Sequence, residues 1–333
     1  MSFLTSLYAS VTKSERKFFD CFDFLKFSPE AKVISVGNLS TGGTGKTPLL
    51  LALLKETAGR KRLVLTRGYR SNYERSYYEL LSDDNLVEGL TDESILMHKH
   101  FPDVPILIGK NRAHSAKMAQ IKFKPELIFL DDGFQYRRLM PDLNIVLWDA
   151  TISDKYARLL PYGRLREPME RLKEADVLML TRCESVSSEK IDAEKRRLRE
   201  YASDIPIIKV MTKTEGVYNG KGEALEEFAD KKFLALSAIG NPKSFYAQLA
   251  SLGIEPKIPV ELRDHHAYTK EEIEAFGQYC QEEGLKMICT EKDLVKIPEK
   301  LRLKYDIHHL KIVSAPLSGL TFTEELEKAG IRM

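Results

Sequence analysis

Residues 33–47 read Val33-Ile34-Ser35-Val36-Gly37-Asn38-Leu39-Ser40-Thr41-Gly42-Gly43-Thr44-Gly45-Lys46-Thr47. A short apolar run leads into a glycine-rich turn, and a helical pattern opens at Lys46. Glycine permits the turns that let successive backbone N–H groups curl around an anion, and a helix N-terminus adds partial positive charge. Ser40, Thr41, Gly42, Gly43, Thr44, Gly45, Lys46 and Thr47 are therefore expected to cradle the phosphates of a nucleotide. Lys46 would reach the β- and γ-phosphates, and the Thr47 hydroxyl would ligate Mg²⁺. One position departs from the G-x-x-x-x-G-K-[ST] pattern, because Ser40 stands where the first glycine falls. A plain glycine-rich strand-to-helix turn is the competing reading, and the Lys-Thr pair behind a buried strand argues against it.

Outward from this loop, short apolar runs recur at Val33–Val36, Leu63–Thr66, Val104–Ile108, Leu127–Leu130, Ile145–Trp148 and Val177–Leu180. They are continuously apolar instead of alternating, which marks strands buried on both faces of a parallel sheet. Helical patterns at Thr47–Thr57, Arg112–Ile121 and Ser188–Ala202 separate several of them. The order predicts an α/β fold of P-loop NTPase type, a doubly wound and mostly parallel sheet, with a second, smaller α/β domain. The expected organisation is a 1–27 segment, a nucleotide-binding domain at 28–210, a polar linker at 211–232 and a C-terminal domain at 233–333. In the last of these a strand is expected at Phe233–Ser237, a helix from Pro242, a helix at Lys270–Glu283, and strands at Met287–Thr290 and Leu310–Val313.

Composition excludes several classes. The 333 residues are 43% hydrophobic and 30% charged, ordinary globular usage, and a net charge of +2 advertises no nucleic-acid partner. Cys21, Cys183, Cys280 and Cys289 form no C-x-x-C pair, so neither a zinc ribbon nor a disulfide framework is expected, and a reducing cytoplasm fits best. No apolar run approaches the ~18–20 residues that span a bilayer, and no signal-peptide layout opens the chain.

Metal and phosphate chemistry need more than the loop. Asp131 and Asp132 close the Leu127–Leu130 run, at the strand end where ligands bind in open α/β sheets, and suit Mg²⁺. A turn-initiating Asp before Gly133 is the plainer reading. Arg112 opens a helix just past a strand end, where it can clamp a phosphate or simply sit solvated. In Gly163-Arg-Leu-Arg166-Glu167-Pro168, Glu167 is expected to complete the metal shell and Arg166 to meet an anionic substrate group; a surface ion pair is the alternative. Thr91-Asp92-Glu93 reads as a helix N-terminus with Thr91 or Asp92 capping. Adjacent His265 and His266 follow Asp264, and on a strand at most one would face a cleft.

Taken together, VGNLSTGGTGKTP (36–48), TRGYRS (66–71), DDGFQYRRL (131–139), GRLREP (163–168), SAIGNP (237–242), RDHHAY (263–268) and TEKDLVK (290–296) resemble the tetraacyldisaccharide 4′-kinase family. The ordered set extends over nearly the whole chain. The resemblance implies an ATP- and Mg²⁺-dependent kinase at the cytoplasmic face of the inner membrane of Gram-negative bacteria. Its acceptor would be the lipid A precursor, a tetraacyl glucosamine disaccharide 1-phosphate, phosphorylated at the 4′-hydroxyl. It implies Asp92 as general base working with His265 or His266, places Gln135 with Arg166 on the substrate, and has the second domain closing over the first. No nucleic-acid or protein partner is expected. Tyr136 stands where the family commonly has His, and Arg70 where it often has Gly.

Two other classes fit the loop. A P-loop switch NTPase would hydrolyse nucleotide against a protein partner, but Thr290-Glu-Lys292-Asp293 lacks the Asn of a guanine-reading N-K-x-D. A soluble small-metabolite kinase would lack membrane affinity. Leu4, Leu7, Tyr8, Val11, Phe18, Phe22 and Leu25 trace one face of a helix with Lys13, Arg16 and Lys17 near its polar side, which predicts a membrane-associating segment at 1–27. A helix packed on the nucleotide domain is the alternative.

Overall fold

The strand feeding the glycine loop, β1 (Lys32–Asn38), is flanked on both sides by parallel neighbours, and this explains its unbroken apolar character. A computed structural model describes Phe22 and residues 26–228 and 232–333. Most of the proposed 1–27 segment lies outside them. Among the described residues no helix is long and apolar enough to cross a membrane.

The chain divides into two units, Met1–Thr212 with Ser314–Met333, and Lys213–Val313. In the first unit α1 (Lys46–Glu56) follows β1 and leads to β2 (Arg62–Thr66), and β3 (Tyr78–Leu80) precedes α2 (Asp92–His100). Then come β4 (Ile106–Ile108), α3 (Arg112–Lys122), β5 (Leu127–Asp131), β6 (Leu143–Asp149), β7 (Val177–Thr181) and α4 (Ser188–Arg199). The next strand, β8, spans Ile207–Tyr218. The sheet order is β8-β7-β6-β1-β5-β2-β4-β3, parallel apart from the antiparallel β3–β4 pair.

Neighbouring residues of one strand go to opposite cores, as period-2 geometry requires. Ile34 and Val36 join Leu49, Leu50, Leu53 and Leu54 of α1, whereas Val33 joins Ala116 and Ala119 of α3. In β6, Ile145 and Leu147 belong to the α1 side, and Val146 and Trp148 pack with Leu198 of α4. The doubly wound α/β fold expected from the runs is thus present, with every predicted strand at its place. The chain end returns to this unit. Phe322 and Leu326 of α9 (Phe322–Lys328) complete the α1 core, and the Glu56 carboxylate accepts from the Phe322 and Thr323 N–H groups at 2.9 and 2.8 Å. A carboxylate at a helix N-terminus satisfies donors that otherwise lack partners.

The second unit carries β9 (Phe233–Ser237), α5 (Pro242–Ser251), β10 (Ile258–Glu261), α6 (Lys270–Glu282) and β11 (Lys286–Thr290). Short helices α7 (Glu291–Leu294) and α8 (Glu299–Lys304) lead into β12 (His308–Pro316). The order β10-β9-β11-β12 is parallel throughout. Phe245 and Leu249 of α5 and Ile273 and Cys280 of α6 cover its two faces.

The division differs from the expected one in two ways. Residues 211–218, assigned to a linker, are the second half of β8, whose alternation of exposed and half-buried residues hides a strand in a polar-looking segment. At Asn219 the chain turns, the Gly222 N–H reaching its carbonyl at 2.9 Å. Residues 314–333 belong with the nucleotide unit, not with the C-terminal domain, because Phe322 and Leu326 bury themselves against α1.

Candidate nucleotide and phosphoryl-transfer site

The glycine loop and the Asp131-Asp132 pair leave the sheet at the same edge, because β1 and β5 are parallel neighbours with Val36 opposite Asp131. The two segments also touch. A Cβ on Gly37 would lie 2.5 Å from Phe134 Cβ, so only glycine lets the Asp132–Phe134 turn cross the end of β1.

Gly42 (φ 101°) and Gly45 (φ 90°) supply the left-handed turns, and Gly45 is the N-cap of α1. Ser40 needs no glycine conformation. It bridges Leu165 in antiparallel fashion, and the Thr41 N–H donates to the Arg164 carbonyl at 2.7 Å. The departure from the usual motif therefore has a local cause: pairing with 164–165 keeps the start of the loop extended.

A residue that the sequence reading passed over holds the loop together. Asn38, fully buried, donates through Nδ2 to the Ser40 carbonyl (2.8 Å) and the Thr44 hydroxyl (3.0 Å). Its Oδ1 accepts from Lys46 Nζ (3.0 Å) and Arg166 Nη2 (2.6 Å). The available signal was a polar residue ending a strand that is otherwise buried and apolar, since such a side chain must find partners.

Asp132 is the electrostatic counterpart of Asn38. It receives Arg166 on both oxygens (2.8 and 2.9 Å) and Lys46 Nζ at 3.3 Å. Burial pushes its carboxyl up, but the Arg166 hydrogen bonds and the Lys46 charge outweigh burial and hold it well below the usual carboxylate range. Asp131 moves the other way. Burial and the neighbouring Asp132 charge raise it, and the Thr66 hydroxyl donates to it at 3.0 Å.

Arg112 opens α3 as expected but is no solvated surface residue. It is 6% exposed, its guanidinium lies 3.9 Å from the Tyr136 ring centroid, and burial lowers its pKa to about 10. Tyr136 accepts the Ala113 N–H at 3.0 Å, so the tyrosine at this position braces the first turn of α3 under Arg112. Asp92 is buried at the start of α2, and Thr91 is the cap, accepting from the Ser94 N–H at 3.2 Å.

Three of the residues expected to meet metal or substrate are engaged by the protein's own groups. The Glu167 carboxylate is only 11% exposed and pairs with Arg171 at 2.5 Å, and Arg171 also meets Glu174 and lies over the Phe134 ring. Among the described residues its oxygens do not gather with those of Asp131 and Asp132 within ligating reach. Burial raises the Glu167 pKa, and the Arg171 charge pulls against it without overcoming it. Arg166 and Gln135, expected on the substrate, face the loop: Arg166 meets Asp132 and Asn38, and Gln135 Nε2 donates to the Asn38 carbonyl at 2.8 Å.

His265 and His266 lie in the second unit, in a turn after β10 and not on a strand, with the His266 N–H on the Arg263 carbonyl. His266 Nε2 sits 3.0 Å from the Glu272 carboxylate, which also closes the capping box of α6 with Thr269. His265 adopts φ 62°, a left-handed backbone, with its ring 3.8 Å from Asp264.

A buried strand, a glycine loop, a helix N-terminus with Lys46, and paired acids on the adjacent strand define a P-loop nucleotide-binding α/β protein. Residues 1–329 match the family profile described as tetraacyldisaccharide-1-P 4′-kinase, and the chain belongs to that family. It is 33% identical over 301 residues to the tetraacyldisaccharide 4′-kinase of Halothermothrix orenii, covering 85% of this chain and 78% of that protein. It is 31% identical over 297 residues to that of Bdellovibrio bacteriovorus, covering 88% of each. The structure of LpxK from Aquifex aeolicus, solved in complex with ATP, superposes with a TM-score of 0.76 at 29% identity over 98% of this chain and 96% of that one.

Whether Glu167 serves Arg171 or the metal is open to measurement. In Glu167→Gln the Mg²⁺ concentration for half-maximal rate should stay at the wild-type value, while the protein loses about 1–3 kcal/mol of stability from a broken buried pair. A Mg²⁺ titration displaced severalfold to higher concentration would return Glu167 to the metal.

Proposed function

We infer that the family's reaction, transfer of a phosphoryl group from ATP to the 4′-hydroxyl of a tetraacyl disaccharide 1-phosphate, is run in this chain by the loop of residues 40–47 with Asp131, Asp132, Arg112 and Asp92. The observation that carries the reading is the convergence of Lys46, Asn38, Arg166 and Asp132 at the ends of β1 and β5. Phosphoryl transfer asks the protein chiefly for positioning and charge neutralisation. Lys46, Arg166 and Arg112 set three cations against the two carboxylates, a balance that favours a polyphosphate.

Mg²⁺ is a hard cation that prefers oxygen donors and one or two carboxylates. Asp131, Asp132 and the Thr47 hydroxyl fit that chemistry and would hold it, and it would supply neutralisation of the phosphate oxygens. Burial and the Asp132 charge raise the Asp131 pKa, and a cation bound there would offset both.

Loop N–H groups orient the donor, and Lys46 offsets charge on the transferred group. Asp92 accepts the proton that the sugar hydroxyl gives up as its oxygen bonds to phosphorus and the bond to ADP breaks. Of the two histidines implied by the resemblance, His265 is the one we assign to the reaction. His266 is engaged with the Glu272 that caps α6, whereas His265 is held in a costly left-handed backbone, and such strain is found disproportionately at functional positions. We further propose that residues 1–27 bind the cytoplasmic face of the inner membrane beside the acceptor, on the strength of their amphipathic pattern.

Purified protein with ATP, Mg²⁺ and the tetraacyl disaccharide 1-phosphate should yield a product one phosphate heavier, and ATP hydrolysis without it would favour a switch NTPase. Asp92→Ala should lower kcat ~10²–10⁴-fold with KM for ATP little changed, whereas Lys46→Ala should lower kcat and also raise KM for ATP. Near-normal kcat in Asp92→Ala, under conditions where chemistry limits the rate, leaves Asp92 as a buried helix-terminal residue only.

The histidines should separate cleanly. His266→Ala is expected to cost about 1 kcal/mol of stability with kcat near wild type, and His265→Ala to lower kcat at least tenfold with melting unchanged. The reverse pattern would exchange their roles. Deleting residues 1–27 should reduce co-sedimentation with anionic liposomes while leaving ATP affinity intact; loss of ATP binding would mean that the segment packs on the nucleotide unit.

A further inference from the structure

The carbonyl side of the glycine loop is gripped by two consecutive residues that neither the motif nor the family resemblance singles out. Thr181 ends β7, two strands away from β1, and Arg182 follows it. The Thr181 hydroxyl, buried, donates to the Thr44 carbonyl at 2.9 Å, a shorter contact than its 3.3 Å to the Trp148 carbonyl. The Arg182 guanidinium binds the Gly43 carbonyl with one nitrogen and the Asp149 carboxylate with another. Arg182 takes φ 59°, a left-handed backbone that arginine avoids on its own, so this reach is held at a conformational cost.

A trans peptide is planar and carries its C=O and the following N–H on opposite sides. Holding the Gly43 carbonyl outward therefore turns the Thr44 N–H to the other side, and holding the Thr44 carbonyl does the same for the Gly45 N–H. These two donors stand just ahead of Lys46, in the half of the loop that pairing with 164–165 does not reach. The Thr41 N–H, by contrast, is already spent on the Arg164 carbonyl.

We propose that Thr181 and Arg182 are positioning residues that preset the phosphate cradle by anchoring the carbonyls of Thr44 and Gly43 from behind. Asp149 orients Arg182, and Asn38 fixes the Thr44 hydroxyl at 3.0 Å, so the Thr44 peptide is held from its side chain and its carbonyl at once. Without the clamp, glycines on either side leave the two peptides free to rotate, and a bound polyphosphate must supply the order itself. The proposal rests on the reading that this loop holds the phosphates of ATP.

The test measures Kd for ATP and for inorganic tripolyphosphate, each with Mg²⁺, together with melting temperature. Wild-type protein must bind both; failure to do so would refute the loop's role and not the clamp. Thr181→Val keeps the side-chain shape but removes the donor, and should weaken both ligands in parallel by about tenfold, with Thr181→Ser restoring wild-type binding. Arg182→Met should weaken both similarly, and it decides the matter if the valine variant does not fold. Wild-type affinity in the folded Thr181→Val and Arg182→Met proteins would overturn the proposal. So would a loss confined to ATP, because a group reading the nucleoside would spare tripolyphosphate. A valine variant that melts lower yet binds tripolyphosphate normally would leave Thr181 a stabilising contact and refute the clamp.

Discussion

The structure of the candidate site depends on one carboxylate facing two cations. Asp132 leaves the end of β5 and meets Arg166 on both oxygens and Lys46 beside them. A hydrogen bond in which a partner is ionised is roughly twice as strong as a neutral one, and here both partners are ionised. The contrast with Glu167 shows what this does. Both carboxylates face arginine, yet Asp132 is pulled well below the usual range and Glu167 is raised from its ordinary value. For Asp132 the combined pull of Arg166 and Lys46 exceeds the burial cost; for Glu167, which packs near a second acid in Glu174, burial wins. Asp132 thus stays ionised at the edge where the glycine loop turns, and fixes where Lys46 and Arg166 rest.

Much of the fold could be read in advance because its strands are covered on both faces. A run such as Leu127–Leu130 has no polar phase to confuse it, and its place in a parallel sheet follows from the helices on either side. β8 was lost for the opposite reason. Its residues 212–216 alternate between half-buried and exposed positions, carry Lys213 and Glu215, and read as connector. The return of 314–333 to the nucleotide unit was equally hidden, since two buried side chains, Phe322 and Leu326, decide it and their partners lie more than 250 residues away.

At the site, positions are more legible in the sequence than contacts are. Spacing singles out the loop, the acid pair and Arg112, because backbone geometry and strand ends constrain where they stand. It could not say which oxygen Arg166 would meet, since Asp132, Asn38 and any anionic ligand are all acceptable partners for a guanidinium. Glu167 poses the same ambiguity: an acid beside a phosphate loop suits a metal, and Arg171, one helical turn onward, pairs with it. Asn38 escaped notice because a buried amide advertises itself only through partners that the fold brings to it.

Backbone strain adds a further layer. Within the nucleotide unit, Arg70, Asp132 and Arg182 take left-handed conformations in segments that follow the C-terminal ends of β2, β5 and β7. Aspartate tolerates this conformation; arginine does so only when something else holds it. For Arg70 that is the Glu74 carboxylate on its N–H at 3.1 Å, and for Arg182 it is Asp149 with the Gly43 carbonyl. The same logic accounts for Ser40. In a loop shaped by its own residues alone, the first position calls for glycine, but the pairing of Ser40 with Leu165 and of Thr41 with Arg164 takes over that duty. The cradle is therefore shaped from three places in the chain, residues 38, 164–165 and 181–182, while Gly42 and Gly45 contribute only the turns that no side chain permits. A loop held in this way can depart from the standard glycine pattern and keep its form, and its conformation is a property of the sheet edge more than of the motif.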